Sequence, residues 1–579
     1  MDNRRIGLTL IPKADLIFGD LAIYSIPAFA LLGQTNSSVP MKLVLIQPPI
    51  RDFYQSRERL QPLGLAYLKA AVRKEFPHLE VVIKDFHQGR GKQDLPLPEE
   101  LAYLRDYYPF ADRSPFSLFH RFRHFGASFE TAARETAAEK PDLVGISSLF
   151  TPYYREVLKT AEAIKEKWPC PIVIGGPQVT ALPEVILAHP AVDWVIRGEG
   201  EKALVELIRA LEQGTGWSRV PGLGYKAGSR LFFNPPPDPL PLEALPWPDL
   251  SDLDPQAYRM KGRPLCFILT SRGCPHHCSF CSIRNHFPGY RRRDPDDVFR
   301  EIRHRFQEGF RVFDFEDDNL TYRRRPFLRL CRLLSDHFSP GEIELTAMNG
   351  LSYESLDAEL LFWMKKAGFT GLNLSLVSAD PKVRRGHQRP FTLEKYVEIV
   401  REALRLGLRV ISYQILGLPG ESLDSMIETL RMNAGLPVLL GASPYYLNPG
   451  SPLAESHPPL TPADLVRCRL TAMAVETEDC KREDLYTLWL ASRIINFFKG
   501  IPLEKDETDL QEALELAERR GGRSALGVEI FKRLKEEGIL YGASPEGFRP
   551  LTKFRPKVFE KIWSSLDRIS TTTGRTILL

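Results

Sequence analysis

Ser271-Arg272-Gly273-Cys274-Pro275-His276-His277-Cys278-Ser279-Phe280-Cys281 is the stretch on which the reading of this chain turns. Its three thiols stand at intervals of four and three residues, directly after the strand-like run Leu265 to Thr270. Given one cysteine, two more at fixed positions have odds of about 2 in 10,000 from composition alone. Thiolates on a short loop can hold three corners of an iron–sulfur cluster and leave one iron without a protein ligand, which makes an open and reactive site. A zinc knuckle is the alternative, with His276, His277 or His286 as the fourth ligand. A loop that leaves a strand at the mouth of a barrel is where catalytic loops lie, which favours the cluster.

Downstream, Val312 to Glu316, Ile343 to Met348, Gly371 to Leu376, Arg409 to Leu416 and Ala442 to Leu447 are strand-like, with helical stretches between them. With Leu265 to Thr270 they make six βα repeats and predict a partial (β/α)6 TIM barrel over residues 263–460. Upstream, Lys42 to Gln47, Leu79 to Asp85, Leu143 to Ser147, Pro171 to Gly175 and Val192 to Arg197 alternate with amphipathic stretches such as Leu65 to Glu75 and Tyr153 to Lys167. That alternation predicts a doubly wound, Rossmann-like sheet over 41–230, so the fold class is α/β. Phe86 to Lys140 is longer than one crossover needs and reads as an insertion of unreadable role. Seven prolines between Asn234 and Asp249 cannot continue a helix or a central strand, and they mark a linker over 231–262. Beyond Thr461 the period is helical and no strand is evident, so a helical C-terminal region is expected over 461–579. Residues 1–40, ahead of Met41, form an extension without a readable role.

Composition sets the outer bounds. The chain has 579 residues, 43% hydrophobic and 26% charged, which excludes a largely disordered or collagen-like protein. Lys plus Arg (77) minus Asp plus Glu (73) gives +4, too small an excess to argue for a nucleic-acid partner. Eight cysteines, three of them within one loop, are not a disulfide framework and point to metal in a reducing, cytoplasmic compartment. Cys170, Cys266, Cys331, Cys468 and Cys480 read as small packing residues. The apolar run Leu21 to Gly33 has Asp15 and Asp20 before it and Pro27 within it; it is too short and interrupted to span a bilayer, and no membrane span is expected.

The Cys-x3-Cys-x-Phe-Cys loop after a barrel strand resembles the radical S-adenosylmethionine superfamily. That resemblance implies a [4Fe–4S] cluster on Cys274, Cys278 and Cys281, with its open iron chelating the methionine end of S-adenosylmethionine and Phe280 near the adenine. Reductive cleavage would then give a 5′-deoxyadenosyl radical. It further implies methionine-amine contacts at Glu316 and Asp317 in Phe315-Glu316-Asp317-Asp318-Asn319, and ribose contacts at Ser375 and Ser378. Val377 stands where relatives carry an acid. Gly417 and Pro419 of Leu416-Gly417-Leu418-Pro419-Gly420-Glu421 match a turn that approaches the adenosine.

The first domain resembles the cobalamin-binding domain that precedes the barrel in a large subclass of that superfamily. The matching runs are Gln47-Pro48-Pro49, Pro62-Leu63-Gly64-Leu65, Ile174-Gly175-Gly176-Pro177-Gln178-Val179 and Arg197-Gly198-Glu199-Gly200-Glu201. The implied cobalamin-binding residues are Pro48, Gly64, Ser147, Ser148, Leu149, Phe150, Gly175, Gly176, Pro177, Val179, Gly198, Glu199 and Gly200. Glycines at the carboxyl ends of parallel strands fit this physically, because backbone can lie against a bulky ligand there. Asp85-Phe86-His87-Gln88-Gly89-Arg90 nearly matches the axial-ligand run of mutase-type cobalamin proteins, with Arg90 where a glycine is expected. The apolar Leu149 and Phe150 are the better fit to the lower corrin face, so cobalamin without histidine ligation is expected. The resemblance therefore implies a methyltransferase acting through methylcobalamin on an unactivated carbon, or on phosphorus, of a small-molecule substrate. An oxidative or ring-rearranging cyclase and a non-enzymatic cobalamin carrier are the other readings. Flavodoxin or ferredoxin would donate electrons, and a monomer is expected.

Overall fold

The computed structural model describes residues 41–54, 61–119 and 121–579. The expected extension over 1–40, with its apolar run Leu21 to Gly33, lies outside the described residues.

The first domain is built on Lys42–Gln47 (β1), helix Leu63–Glu75 (α1), Glu80–Asp85 (β2), Leu143–Ser147 (β3), helix Tyr154–Lys167 (α2), Ile172–Gly175 (β4), Trp194–Ile196 (β5) and helix Gly200–Gln213 (α3). A hairpin, Leu223–Ala227 (β6) with Arg230–Phe233 (β7), completes a seven-stranded sheet of order β7-β6-β5-β4-β3-β1-β2. The five strands from β2 to β5 are parallel, and the hairpin is antiparallel. Strands such as Leu43-Val44-Leu45-Ile46 are apolar throughout because helices cover both faces. The order reverses between β1 and β3, and in such sheets ligands bind in the crevice outside the carboxyl ends of the strands at that switch point. The hairpin was not legible in the sequence, since Gly224 and Gly228 interrupt its alternation and the prolines begin at once after it.

The barrel strands are Arg263–Ile268 (β8), Val312–Phe315 (β9), Glu344–Thr346 (β10), Gly371–Val377 (β11), Arg409–Leu416 (β12) and Val438–Pro444 (β13). They run parallel as β8-β9-β10 and β11-β12-β13, joined by single bridges at Leu345–Phe369 and Leu351–Leu374. β13 begins at Val438 rather than at Ala442, because Val438-Leu439-Leu440 is a short apolar run that periodicity alone cannot assign.

A barrel of six strands leaves two edges; Arg259–Met260 pairs antiparallel with the start of β8, and beyond it each edge is capped by a side chain from a flanking region. Gln61, entering α1 of the first domain, accepts from the Phe267 backbone N–H at 2.8 Å. At the other edge Asn496, on helix Arg482–Lys499 (α4), donates to the Leu440 carbonyl at 2.9 Å and accepts from its N–H at 2.8 Å. The edge strand β2 is capped likewise, by the linker's Asp252 accepting from the Ile83 N–H at 2.7 Å. These amides and carboxylates do for an open edge what a seventh strand would do.

The C-terminal region is mostly helical, but it also holds the short strands Glu507–Asp509, Arg568–Ser570 and Thr576–Leu578 and the hairpin Tyr541–Ser544 with Gly547–Pro550. Strands of three or four residues are too short to show an alternation in sequence. Buried Lys499 at the end of α4 donates to the carbonyls of Ala434, Leu436 and Ser570, at 2.9, 2.6 and 2.8 Å, and so fixes the region to the approach to β13. The insertion adds to this grip. Tyr103, Tyr107 and Tyr108 donate to the Ala472 carbonyl, Glu483 and the Thr471 carbonyl.

Asn496→Leu keeps the volume but strands two edge groups of β13. It is expected to cost about 2–6 kcal/mol, about one to three per unsatisfied buried group. A thermal melt should show the loss as a transition several degrees lower; an unmoved transition would contradict the capping account.

Candidate active site

The cysteine loop is shaped by its glycine. Ser271–Arg272 pairs with Arg291–Arg292, and between that ladder and Cys274 the chain turns at Gly273, with φ +82°. A Cβ there would lie 1.9 Å from the Gly289 carbonyl oxygen, so no other residue fits. Asp318 accepts from the Gly273 N–H at 2.8 Å. Asp317 accepts from the Thr270 N–H and hydroxyl at 3.0 and 2.6 Å and from the Ser271 hydroxyl at 2.5 Å. Burial pushes Asp317 up to about 6. The acidic run after β9 thus holds the loop in place, and the Asp317 carboxylate is engaged within the protein. Glu316 lies beside it and accepts from Asn349 at 3.0 Å.

Cys278 is buried, while Cys274 and Cys281 are partly open. Burial raises both of the latter thiols, Cys281 to about 11. Among the described residues, no three His, Cys, Asp or Glu side chains converge as ligands of a single metal ion. Three thiols on one loop can hold three corners of a cluster. Two cationic or amide donors approach the sulfurs, Asn319 Nδ2 to Cys274 at 3.5 Å and Arg389 Nη1 to Cys278 at 3.6 Å. Such donors stabilise charge on the sulfurs and tune a cluster's potential. Arg389 also donates to the Ser375 carbonyl at 3.0 Å.

His387 joins two motifs that the sequence could only list apart. Its Nδ1 meets the Ser279 hydroxyl at 2.7 Å and its Nε2 the Pro419 carbonyl at 3.1 Å, so the cluster loop and the Gly417–Gly420 turn are one assembly. Gly417 carries φ +79°. Ser378 is fully buried and donates to Glu421 at 2.7 Å, while burial pushes Glu421 up to about 7. Val377 takes φ +75° at a register shift in β11, a strained conformation for a β-branched residue. That bulge lies where the sequence departs from the expected acid. Phe280 is half-buried, its ring tilted against His387 at 6.1 Å. Neither His387 nor Arg389 belongs to a spaced motif, and only the run Arg384-Arg385-Gly386-His387-Gln388-Arg389, dense in hydrogen-bond donors, hinted at them.

The two domains meet at Arg272. Its buried guanidinium pairs with Glu199 at 2.7 Å and Glu201 at 2.5 Å, and it lies over the rings of Tyr67 on α1 and Phe287 at 5.1 and 5.6 Å. Arg291 pairs with the other oxygen of Glu199. Burial opposes ionisation of Glu201, yet Arg272 outweighs it and holds the carboxyl below its ordinary range. Both carboxylates sit at the start of α3, where the helix dipole favours negative charge. Glu199, a candidate cobalamin residue, is therefore engaged with the cluster loop. Nearby, Thr180 accepts from the Gly198 N–H at 2.9 Å and meets His286 Nδ1 at 3.0 Å, a second tie between the glycine motifs and the residues after Cys281.

The remaining candidates surround the switch point. Gly176 takes φ +124° with room for no Cβ, which would lie 2.4 Å from the Ser148 carbonyl oxygen. The Ser148 hydroxyl turns inward to Gln178 at 2.8 Å, and Val179 is in the core. Gly64 has open space beside it. Ser147 ends β3, and after it Leu149 and Phe150 stand 47% and 59% exposed, a bare hydrocarbon face at the mouth of the crevice. Pro48, Gly175, Pro177 and Gly200 line the strand ends and helix starts around it. An apolar face and close-packed glycines at a switch point fit a large flat ligand. His87 follows the edge strand β2, close to Pro49 of the segment after β1, and burial and His124 hold its ring down to about 4.

Comparison with known proteins agrees with this geometry. Residues 268–432 match the family model of the radical SAM superfamily, and residues 119–208 match that of the B12 binding domain. An uncharacterized methyltransferase of Pyrococcus horikoshii is 28% identical over 72% of this chain and 83% of its own length. Cytidylyl-2-hydroxyethylphosphonate methyltransferase of Streptomyces wedmorensis is 25% identical over 68% and 77%. Among solved structures, the radical S-adenosylmethionine methyltransferase TsrM of Kitasatospora setae, with cobalamin and a [4Fe-4S] cluster bound, shares the fold with a TM-score of 0.55, at 19% identity, over 72% of this chain and 74% of that one.

Gly273→Ala is expected to abolish retention of iron after anaerobic reconstitution, as would Cys278→Ala, whereas Cys331→Ala, buried in the barrel's outer core, should keep a normal content. Full iron in the Gly273 variant would contradict the loop geometry.

Proposed function

We propose that this chain, a radical S-adenosylmethionine enzyme with a B12 binding domain, whose cofactors are a [4Fe–4S] cluster, S-adenosylmethionine and cobalamin, methylates an unactivated carbon of a small molecule. The observation that carries the reading is the pairing, across the Arg272 ion cluster, of a three-thiol loop with a switch-point face that offers only hydrocarbon. When bound, the cluster and S-adenosylmethionine supply one-electron hydrogen abstraction, and cobalamin supplies a methyl carrier. Leu149 and Phe150 present no nitrogen to compete for the metal, which suits a carrier that must give up its methyl group. Asn319 and Arg389 hold the charge at the thiolates, and Asp317 and Asp318 hold the loop.

The choice of carbon over phosphorus rests on the barrel lumen. Alternate positions of β11, β12 and β13 place Asn373, Ser375, Ile411, Tyr413, Leu439 and Ser443 on its inner side, with Gly441 and Gly350 leaving room around the Tyr413 ring. Asn373 donates to the Tyr413 hydroxyl at 3.0 Å. These six positions carry amide, hydroxyl and apolar groups, and Arg389 beside them is engaged with the Ser375 carbonyl and Cys278, whereas a phosphorylated acceptor would call for a free arginine or lysine. The overall conversion balances: substrate R–H, two S-adenosylmethionines and two electrons give R–CH3, 5′-deoxyadenosine, methionine and S-adenosylhomocysteine. A flavodoxin- or ferredoxin-type donor would supply the electrons.

The test needs no known substrate. The reduced holoenzyme, given S-adenosylmethionine alone, is expected to form one equivalent of S-adenosylhomocysteine per bound cobalamin. 5′-Deoxyadenosine without any S-adenosylhomocysteine would overturn the methyltransferase reading.

A further inference from the structure

Arg469 follows the helix Pro462–Arg467 at the start of the C-terminal region and is 6% exposed. Its guanidinium is spent on two loops of the first domain. Nη1 pairs with Asp52 Oδ1 and donates to the Arg51 carbonyl, both at 3.1 Å; Nη2 donates to the Pro152 carbonyl at 3.1 Å. Nε donates to the Val466 carbonyl at 2.8 Å, anchoring the side chain in its own segment. The rings of Phe122 and Tyr153 lie 5.8 and 5.6 Å from its Cζ. The Tyr153 hydroxyl closes the circuit by donating to Asp52 Oδ2 at 2.6 Å.

Arg51 and Asp52 belong to the segment after β1, and Pro152 and Tyr153 to the segment after β3. These two strands border the switch point, so one side chain from outside the domain spans the crevice where a ligand of this fold lies. The exposed Phe150 leads the second segment, its ring edge-on to Tyr153 at 6.0 Å. Two of the contacts reach across to backbone carbonyls of opposite loops, which fixes loop separation as side-chain packing would not. A buried ion pair is a poor source of net stability compared with apolar packing, and its retention here suits a role in setting geometry.

We infer that Arg469 is a positioning residue of the cobalamin site, setting the Leu149–Phe150 face against the loop after β1, so that the C-terminal region is part of that site. The inference rests on the B12 reading above. It also gives the C-terminal region a task beyond covering the barrel edge at β13.

Two variants test it on cluster-reconstituted protein. Arg469→Lys keeps the charge but cannot reach both loops. Tyr153→Phe keeps the ring and removes only the hydroxyl that donates to Asp52. Hydroxocobalamin binding is followed by absorbance, together with iron content and dithionite-driven cleavage of S-adenosylmethionine. The dissociation constant should rise about tenfold or more in Arg469→Lys and a few-fold in Tyr153→Phe, a shift of roughly 1.4 kcal/mol per tenfold. Iron and cleavage should stay at the parent level in both. Unchanged affinity in both variants would overturn the proposal, as would parallel loss of cobalamin and iron, which marks a merely structural role. A parent protein that binds no hydroxocobalamin would instead refute the B12 reading itself.

Discussion

The arrangement depends on one buried cation. Arg272 immediately precedes Gly273 and Cys274, and its guanidinium is held by Glu199 and Glu201 of the other domain and by the ring of Tyr67. A buried guanidinium without partners would cost several kcal/mol, so the barrel loop cannot take its shape unless the first domain is docked. The reverse also holds, because the Glu201 carboxylate buried at the start of α3 is paired with Arg272, and Glu199 beside it with Arg272 and Arg291. The loop that presents the thiols and the domain that presents the switch point are thereby placed in one fixed relation. Under the proposed function, in which groups pass between two cofactors, this relation is the functional variable.

Open edges extend the same logic. A six-stranded barrel and a doubly wound sheet both end in unpaired backbone, and each flanking region contributes a polar side chain to it: Gln61 at β8, Asn496 at β13 and Asp252 at β2. The regions around the barrel are therefore joined by buried polar contacts as well as by apolar surface. Lys499, Arg469 and the three tyrosines of the insertion make the C-terminal region a bracket between barrel and first domain.

Much of this was legible beforehand. The parallel strands announced themselves as unbroken apolar runs, and the thiol spacing carried its chemistry with it. What the sequence concealed falls into two physical classes. Short elements, such as the strands of the C-terminal region and the β6–β7 hairpin, have too few residues to display a period. Residues that act by pairing across the fold, such as His387, Arg389 and Arg469, carry no local pattern, because their partners are decided by the tertiary structure. Glu199 shows the same limit from the other side. Its run, Arg197-Gly198-Glu199-Gly200-Glu201, carries the resemblance to a cobalamin-binding domain, and its carboxylate also faces the arginines of Ser271-Arg272 and Arg291. Complementary charge between two conspicuous motifs was the available signal.

The most direct test is reciprocal. Glu201→Gln in the first domain and Arg272→Gln in the barrel, together with the double variant, can each be assayed for iron content and for hydroxocobalamin affinity. If the ion cluster holds the two parts in register, each single change impairs the cofactor of the opposite domain as well as its own, and the double variant is no worse than the worse single one. Changes confined to the domain that carries each substitution, adding independently in the double variant, would contradict the account.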